Sequence, residues 1–512
     1  MDNTICSQLE SLLKAQGIAT NDESAIDVVY GGAFSIRDYY MESGNPRLMR
    51  GASQLLIDAA AEAARHVQAL QNGLYFACGA ESFFVVLPGE GAAAATAFER
   101  LFREHTVTAQ AAAVSMQTTV GALRDAKQFG LLWGELNAAF WARRMLLFFP
   151  IDAPSGHTRC TRCNFREPID DIPATDLRLC ESCGKKYETG GKIRNQYQRA
   201  CVAYGMSARI KGADTFQGGQ DTEDLSDGNA DIALLYADIN NLGGIGKDLQ
   251  GGAERRKAFT EAVSNAVRNA LYSAVLRGLQ ATTNHHFEII AAGGDDICVM
   301  VPGEIGLLVG TLLLEQFDKE WMKNGQGFPT LTISAGIAVG HYSTPLVYMR
   351  EAAEQLLSIA KGKAHVAGQG CLDILSLNSD GQWATRIQDK LRKDLRYQEE
   401  DKTANRTLRP FSAGEARRML GWLAQSRDRV PISTIYNIAD ALMRMGIEEG
   451  NLWFRYLLSR QTEKEDKSEN GLKILTESIA ADCAMYYAAD DTLWSPWRDL
   501  AELRNQKTDR GE

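Results

Sequence analysis

Two short apolar stretches, Phe287 to Ala292 and Ile297 to Pro302, are separated only by Gly293-Gly294-Asp295-Asp296. Runs this short and this close together read as two strands joined by a tight hairpin, with the glycines supplying the positive φ that such a turn needs. Adjacent aspartates at its tip repel each other unless a cation lies between them, and hard oxygen ligands suit magnesium. Glycine and aspartate are also ordinary turn residues, so the hairpin acquires meaning only from its surroundings.

Upstream, the apolar strand Ile232 to Ala237 ends in Asp238-Ile239-Asn240-Asn241-Leu242-Gly243-Gly244. It supplies a third carboxylate and a glycine-rich turn whose backbone amides suit phosphates. Between the two features, Phe259, Val263, Ala266, Val267, Leu271, Val275 and Leu276 recur at helical spacing within Arg255 to Leu279, and Leu331 to Val339 reads as another strand. The order is strand, helix, hairpin, helix, strand, helix.

The Asp238 strand, the Gly-Gly-Asp-Asp hairpin and the strand Thr332-Ile333-Ser334-Ala335-Gly336-Ile337-Ala338, followed by Pro345-Leu346 and Ala360-Lys361-Gly362-Lys363, resemble the polymerase/cyclase palm of the large subunit of type III CRISPR effector complexes. Diguanylate cyclases share the palm more distantly but usually carry Glu-Glu-Phe or Asp-Glu-Phe after the glycines. Asp-Asp-Ile, found here, is the form typical of the CRISPR subunit. The resemblance implies nucleotidyl transfer: a ribose hydroxyl attacks the α-phosphate of ATP, and two cations stabilise the attacking and leaving oxygens. It further implies cyclic or linear oligoadenylate second messengers, made in antiviral defence when the complex captures target RNA.

On this reading Asp238, Asp295 and Asp296 are catalytic and hold magnesium or manganese, and the Ile239 carbonyl adds a ligand. Ile239, Asn240, Asn241, Leu242, Gly243, Gly293 and Gly294 surround the nucleotide, and Lys361 and Lys363 match the family position of a phosphate-binding lysine. Read without the family, the two lysines equally suit a solvated helix end. Two alternatives stay open: a free-standing polymerase or cyclase that needs no guide RNA, and a non-catalytic nucleotide-binding scaffold. Against the scaffold stands the retention of three mutually repelling carboxylates.

Cys160-x-x-Cys163 and Cys180-x-x-Cys183, sixteen residues apart, read as a four-thiolate structural zinc site with no open position for chemistry. Two disulfides are the competing account. The chain shows no signal peptide and no stretch apolar enough to span a membrane, so a cytoplasmic location with reduced thiols is expected. Cys6, Cys78, Cys201, Cys298, Cys371 and Cys483 are scattered and read as small buried apolar residues.

The N-terminal third reads as a degenerate copy of the same palm. Ile26 to Tyr30 runs into Gly31-Gly32, Ser53 to Leu70 is an alanine-rich helix, Leu74 to Cys78 and Phe83 to Leu87 form a hairpin, and a helix follows from Gly91 to His105. At the turn stands Cys78-Gly79-Ala80-Glu81-Ser82, without the carboxylate pair, so two-metal chemistry is not expected there. Gly31, Gly32 and Arg47 to Ser53 resemble the first palm's ligand-facing region. Many large subunits of the family begin with an HD-type nuclease; this sequence has no His-Asp dipeptide and its palm starts within the first 30 residues, so that activity is not expected. Of seven dispersed histidines, His285 and His286 are read as lying beside the catalytic hairpin.

Lys390 to Arg406 is highly charged and reads as a solvated helix and linker. Phe411-Ser412-Ala413-Gly414-Glu415 reads as a hydrophobic residue and a capping box, and further helices are predicted within Ile432 to Met445, Leu452 to Leu458 and Leu472 to Tyr487. A net charge of −10 argues against a free-standing nucleic-acid binder driven by bulk electrostatics and against an anionic membrane.

The predicted fold is α+β, with two ferredoxin-like, nucleotidyl cyclase-like palms. A degenerate first palm occupies 1–150, a zinc-binding insertion and linker 151–225, a catalytic second palm 226–385 and a C-terminal helical domain 386–512. Expected partners are ATP and a guide RNA-containing CRISPR effector complex with small helical and backbone subunits, which brings in target RNA indirectly.

Overall fold

A computed structural model of the chain describes residues 5–18, 20–70, 73–78, 81–147, 158–171, 176–191, 194–219, 221–249, 251–293, 296–377, 395–399, 402–462, 471–480, 484–489 and 492–507. The N-terminal third consists of α1 (Ile5–Ala15), β1 (Ala25–Phe34), α2 (Ile36–Met41), α3 (Pro46–Leu70), β2 (Leu74–Cys78), β3 (Glu81–Val86), α4 (Gly91–Thr106), β4 (Gln110–Thr119), α5 (Val120–Arg124) and α6 (Ala126–Leu146). The insertion adds β5 (Asp170–Asp171), β6 (Arg178–Leu179), α7 (Glu181–Thr189) and α8 (Gln196–Ser207). The next unit runs β7 (Asp231–Ile239), α9 (Leu242–Asp248), α10 (Ala253–Leu279), β8 (Glu288–Gly293), β9 (Asp296–Pro302), α11 (Gly306–Asn324), β10 (Ile333–His341), α12 (Leu346–Ala367) and β11 (Cys371–Leu377).

The duplication predicted from the sequence is explicit in the sheets. Strand order is β2-β3-β1-β4 in the first and β8-β9-β7-β10 in the second, with each of those pairings antiparallel. In both copies the first strand therefore lies in the middle, flanked by the second strand of the hairpin and by the last strand. The second sheet is extended by β11, parallel to β10, and by β14 (Phe411–Ser412).

Central strand β7 is apolar almost throughout because both of its faces are covered, as for strands buried on two sides. Ala233, Leu235, Ala237 and Ile239 pack with the buried faces of α10 and α11. Ile232, Leu234 and Tyr236 pack with α12 and with Tyr39, Tyr40, Met41 and Met49 from the first palm. The first palm is thus a layer of the second palm's core. Gly31 and Gly32 lie within β1, opposite Ser82 and Glu81 of β3 and Ala113 and Ala112 of β4, whereas the sequence suggested that the strand ended there. A Cβ on Gly31 would come within 2.9 Å of the Ala113 Cβ, so packing accounts for that glycine. The segment Arg47 to Ser53 packs on the insertion: Arg47 Nε donates to the Tyr187 carbonyl at 3.1 Å, and a Cβ on Gly51 would lie 1.9 Å from the Lys186 carbonyl oxygen.

The remaining elements are β12 (Arg396–Glu399), β13 (Lys402–Asn405), β14, α13 (Ala413–Arg429), α14 (Ile432–Arg444), α15 (Ile447–Thr462), α16 (Gly471–Ile479), β15 (Tyr487–Ala489), β16 (Thr492–Trp494) and α17 (Trp497–Glu502). Within the charged stretch read as a solvated helix and linker, the described residues Arg396–Glu399 and Lys402–Asn405 are instead the paired strands β12 and β13, held in a four-stranded sheet because β13 pairs with β16. The Ser412–Glu415 capping box forms as expected. Buried Arg409 fastens this part to the second palm, donating to Asp499 at 3.0 Å, to Glu502 at 2.8 Å and to the Ile374 carbonyl of β11 at 2.6 Å. No described helix is long and apolar enough to cross a membrane.

A buried ion pair locks the two palms. Arg50 of α3 pairs with Glu288 at the start of β8 and also donates to the Gly190 carbonyl at 3.0 Å and the Gly219 carbonyl at 2.9 Å. Burial pushes the Glu288 carboxyl from 4.5 up to about 8, while Arg50 and Gln198 oppose the rise. A carboxyl raised on folding contributes stability that is full below its unfolded value and is lost as pH climbs through the folded one. Arg50→Met is expected to cost about 3–5 kcal/mol at pH 9, above the Glu288 value, where the buried carboxyl loses the cation that lets it ionise, and less at pH 6, where it is protonated with or without Arg50. Urea denaturation at the two pH values checks this, and adding Glu288→Gln removes the difference between them.

Candidate active site

Strand register builds the site. Ala237 of β7 lies opposite Ile297 of β9, and Asp238 lies opposite Ser334 of β10, so Asp238 near the end of β7 and Asp296 at the start of β9 come to the same end of two neighbouring interior strands. Gly293 pairs with Asp296 across the hairpin; Gly294 and Asp295 lie outside the described residues. Burial pushes the Asp238 carboxyl up, the Lys361 ammonium opposes this and the charge of Asp296 reinforces it. Both carboxylates have cationic partners: Lys361 Nζ is 2.5 Å from Asp238 Oδ2, and Arg37 Nη2 is 2.8 Å from Asp296 Oδ1.

Lys361 reaches the site because α12 lies unusually close to β10. A Cβ at Gly336 would fall 2.0 Å from the Ala353 carbonyl oxygen, so only glycine permits that approach. Both lysines lie within α12, near its end. Two residues apart, they point to different sides. Lys363 Nζ turns to the Pro410 carbonyl and the Glu415 carboxylate, each at 2.6 Å, and so lies apart from the aspartates.

After β7 the chain is turned by Asn241, whose φ of 55° is left-handed, and enters α9 at Leu242. Leu242 packs on the core and Gly243 is exposed. Asn240 is fixed by its amide to the Thr332 carbonyl and by Nδ2 to Thr332 Oγ1, both at 2.8 Å. Its Oδ1 is buried with no partner. Carboxylates on two neighbouring strands, with an orphaned amide oxygen two residues after Asp238, are hard oxygen donors of the kind that suits a divalent cation.

The first palm contributes residues that the sequence did not single out. After β1, left-handed Ser35, φ 51°, leads into α2 just as Asn241 leads into α9. That repeat of strand, left-handed residue and short helix is a property of the backbone and not of the local sequence. It carries Arg37 to Asp296 and places the Tyr40 hydroxyl 2.5 Å from that of Tyr236. His285 and His286 stand at the opposite end of β8 from the hairpin turn, not beside it. They contact Thr215, Gln217 and Asn284 in a polar cavity of about 550 Å³.

In the insertion the sulfurs of Cys160, Cys163, Cys180 and Cys183, all buried, lie within 4.8 Å of one another, with Cys163 and Cys180 at 3.8 Å. Sulfurs about 2.3 Å from one central ion stand about 3.8 Å apart in a tetrahedron, so the four fit a single metal ion. The thiols are not joined by disulfides. Lys186 of α7, which starts at this cluster, donates to the Tyr39 carbonyl at 2.8 Å and to Glu42 at 2.7 Å, and Arg166 also pairs with Glu42 at 2.6 Å. The cysteine cluster therefore supports α2 from behind.

Residues 231–367 match the family described as Cas10/Cmr2, second palm domain. Over 130 residues the chain is 32% identical to the CRISPR system Cmr subunit Cmr2 of Pyrococcus furiosus, a match spanning 25% of this chain and 15% of that relative. Among solved structures it is similar to a Csm1–Csm4 cassette in complex with cA3, with TM-score 0.56, 11% identity and coverage of 98% of this chain and 73% of the other. It is also similar to Csm1 of T. onnurineus, with TM-score 0.53, 10% identity and coverage of 96% and 71%. The fold defines a tandem-palm protein. More particularly, its second palm is of the Cas10/Cmr2 type, and the chain as a whole has the fold of a type III CRISPR large subunit.

Because α7 is anchored on the cysteine cluster, Cys183→Ser is expected to reduce bound metal from about one equivalent to none by elemental analysis. It is also expected to lower the thermal midpoint by several degrees, roughly what about 2 kcal/mol costs a chain of this size.

Proposed function

We propose that this chain converts ATP to cyclic or linear oligoadenylates at its second palm, as the large subunit of a type III effector that responds to captured target RNA. The observation that carries this reading is the register that brings Asp238 and Asp296 to the same end of neighbouring strands β7 and β9, on a sheet whose one face packs on the first palm. Magnesium or manganese bound there would stabilise the attacking ribose oxygen and the departing pyrophosphate. Asp238, Asp295, Asp296 and the Ile239 carbonyl hold it. Asn240, Asn241, Leu242 and Gly243, with Gly293 and Gly294, line the turn and hairpin against the triphosphate. Lys361, already beside Asp238, offers its ammonium to a phosphate oxygen once the carboxylate is engaged elsewhere. Lys363 holds the capping box of α13 and so acts on the site only through the placement of α12. The four cysteines hold zinc as a structural staple, since four sulfur ligands leave no position for substrate.

Support for the substrate class comes from the solved Csm1–Csm4 cassettes, one of which is in complex with one ATP and another with cA4. The test is to purify the chain with whatever accompanies it, add ATP and magnesium with and without RNA complementary to any bound guide, and resolve products by mass spectrometry. Oligoadenylates are expected only with matching RNA, and Asp295→Ala with Asp296→Ala should reduce them at least about a hundredfold, beyond what loss of a ligand's supporting contact costs. Product formed without target RNA would favour a free-standing synthase. An RNA-loaded complex that makes no product would favour a scaffold.

A further inference from the structure

Arg37 reaches across the boundary between the palms with more than one partner in range. Its Nη2 lies 2.8 Å from Asp296 Oδ1, its Nη1 lies 3.6 Å from Glu354 Oε1 of α12, and its guanidinium carbon is 5.1 Å from the centre of the Tyr236 ring. The helix beneath it is fixed. Tyr39, Tyr40 and Glu42 are held by Lys186, Tyr236 and Arg166, and Arg350 of α12 pairs with Asp38 at 3.3 Å. The guanidinium itself is not fixed: the side chains of Arg37 and Asp296 are 42% and 41% exposed, and an ion pair so open to water is weak and readily exchanged.

We propose that Arg37 is a counterion lent by the first palm, which competes with the divalent cation for Asp296 and steps onto Glu354 and the Tyr236 ring when the cation binds. This rests on the reading of Asp238 and Asp296 as metal ligands. A guanidinium and a divalent ion on one carboxylate repel each other, so the two compete for Asp296. Arg37 can leave without being stranded. Glu354 offers a second carboxylate, the face of Tyr236 accepts a cation, and the rigid base of α2 confines the movement to the side chain. While no metal is bound, Arg37 offsets the repulsion that Asp296 exerts on the buried Asp238 carboxyl.

The test is Mn²⁺ binding to the full zinc-loaded chain without nucleotide, read from the electron paramagnetic resonance of free Mn²⁺. Arg37→Gln is expected to tighten binding about two- to fivefold, the range that an exposed ion pair is worth. Arg37→Lys should stay near wild type. Glu354→Gln removes the alternative perch and should weaken binding. That weakening should vanish in the Arg37→Gln background, because Glu354 acts through Arg37. If the two effects simply add, the residues contribute only general charge and the proposal fails; unchanged or weaker binding in Arg37→Gln at an unchanged thermal midpoint also overturns it. The metal reading itself is tested separately by Asp238→Asn and Asp296→Asn. If these leave Mn²⁺ binding intact, that reading falls and takes the role of Arg37 with it.

Discussion

The carboxylate site depends on the first palm lying against one face of the second palm's sheet. That contact makes β7 a strand buried on both sides, and it closes over the buried Arg50–Glu288 pair and the Tyr40–Tyr236 hydroxyls. An ion pair out of water contributes little net stability, but it penalises every arrangement that separates its members. It therefore acts mainly to fix how the palms meet. The degenerate palm, lacking the carboxylate pair at its own hairpin, still shapes the site by supplying α2, and the cysteine cluster supports α2 through Lys186 and Arg166.

Helix α12 links the same site to the C-terminal part of the chain. Lys361 faces Asp238, while Lys363, two residues on, holds the Ser412–Glu415 capping box that opens α13. Arg409, buried among Asp499, Glu502 and the Ile374 carbonyl, ties α17 to strand β11 of the second palm's sheet. Charges are thus taken out of water along both routes into the second palm, each with a partner close at hand.

Features carried by local pattern were legible in the sequence. The hairpin around Gly293 to Asp296, the apolar run of β7, the paired cysteines and the capping box each depend on residues close in the chain, and the tandem palm followed from seeing one order of elements twice. Contacts between distant residues were not legible. Arg37 and Asp296 are 259 positions apart, and nothing in the neighbourhood of Arg37 marks it as a partner for that hairpin. The charged strands β12 and β13 were misread because local composition favours a solvated helix, whereas pairing with β16, nearly at the end of the chain, decides the outcome. Lys361 and Lys363 looked equivalent in sequence; the helical turn separates them. His285 and His286 were placed beside the hairpin by nearness in sequence, but a strand carries its two ends apart.

The most direct test of the account is a crystal structure of the chain with a non-hydrolysable ATP analogue and Mn²⁺, with anomalous scattering used to locate the metal. Manganese is expected between Asp238 and Asp296, with the triphosphate against the turn from Ile239 to Gly243. Manganese and nucleotide elsewhere, with Asp238 still on Lys361 and Asp296 still on Arg37, would contradict it.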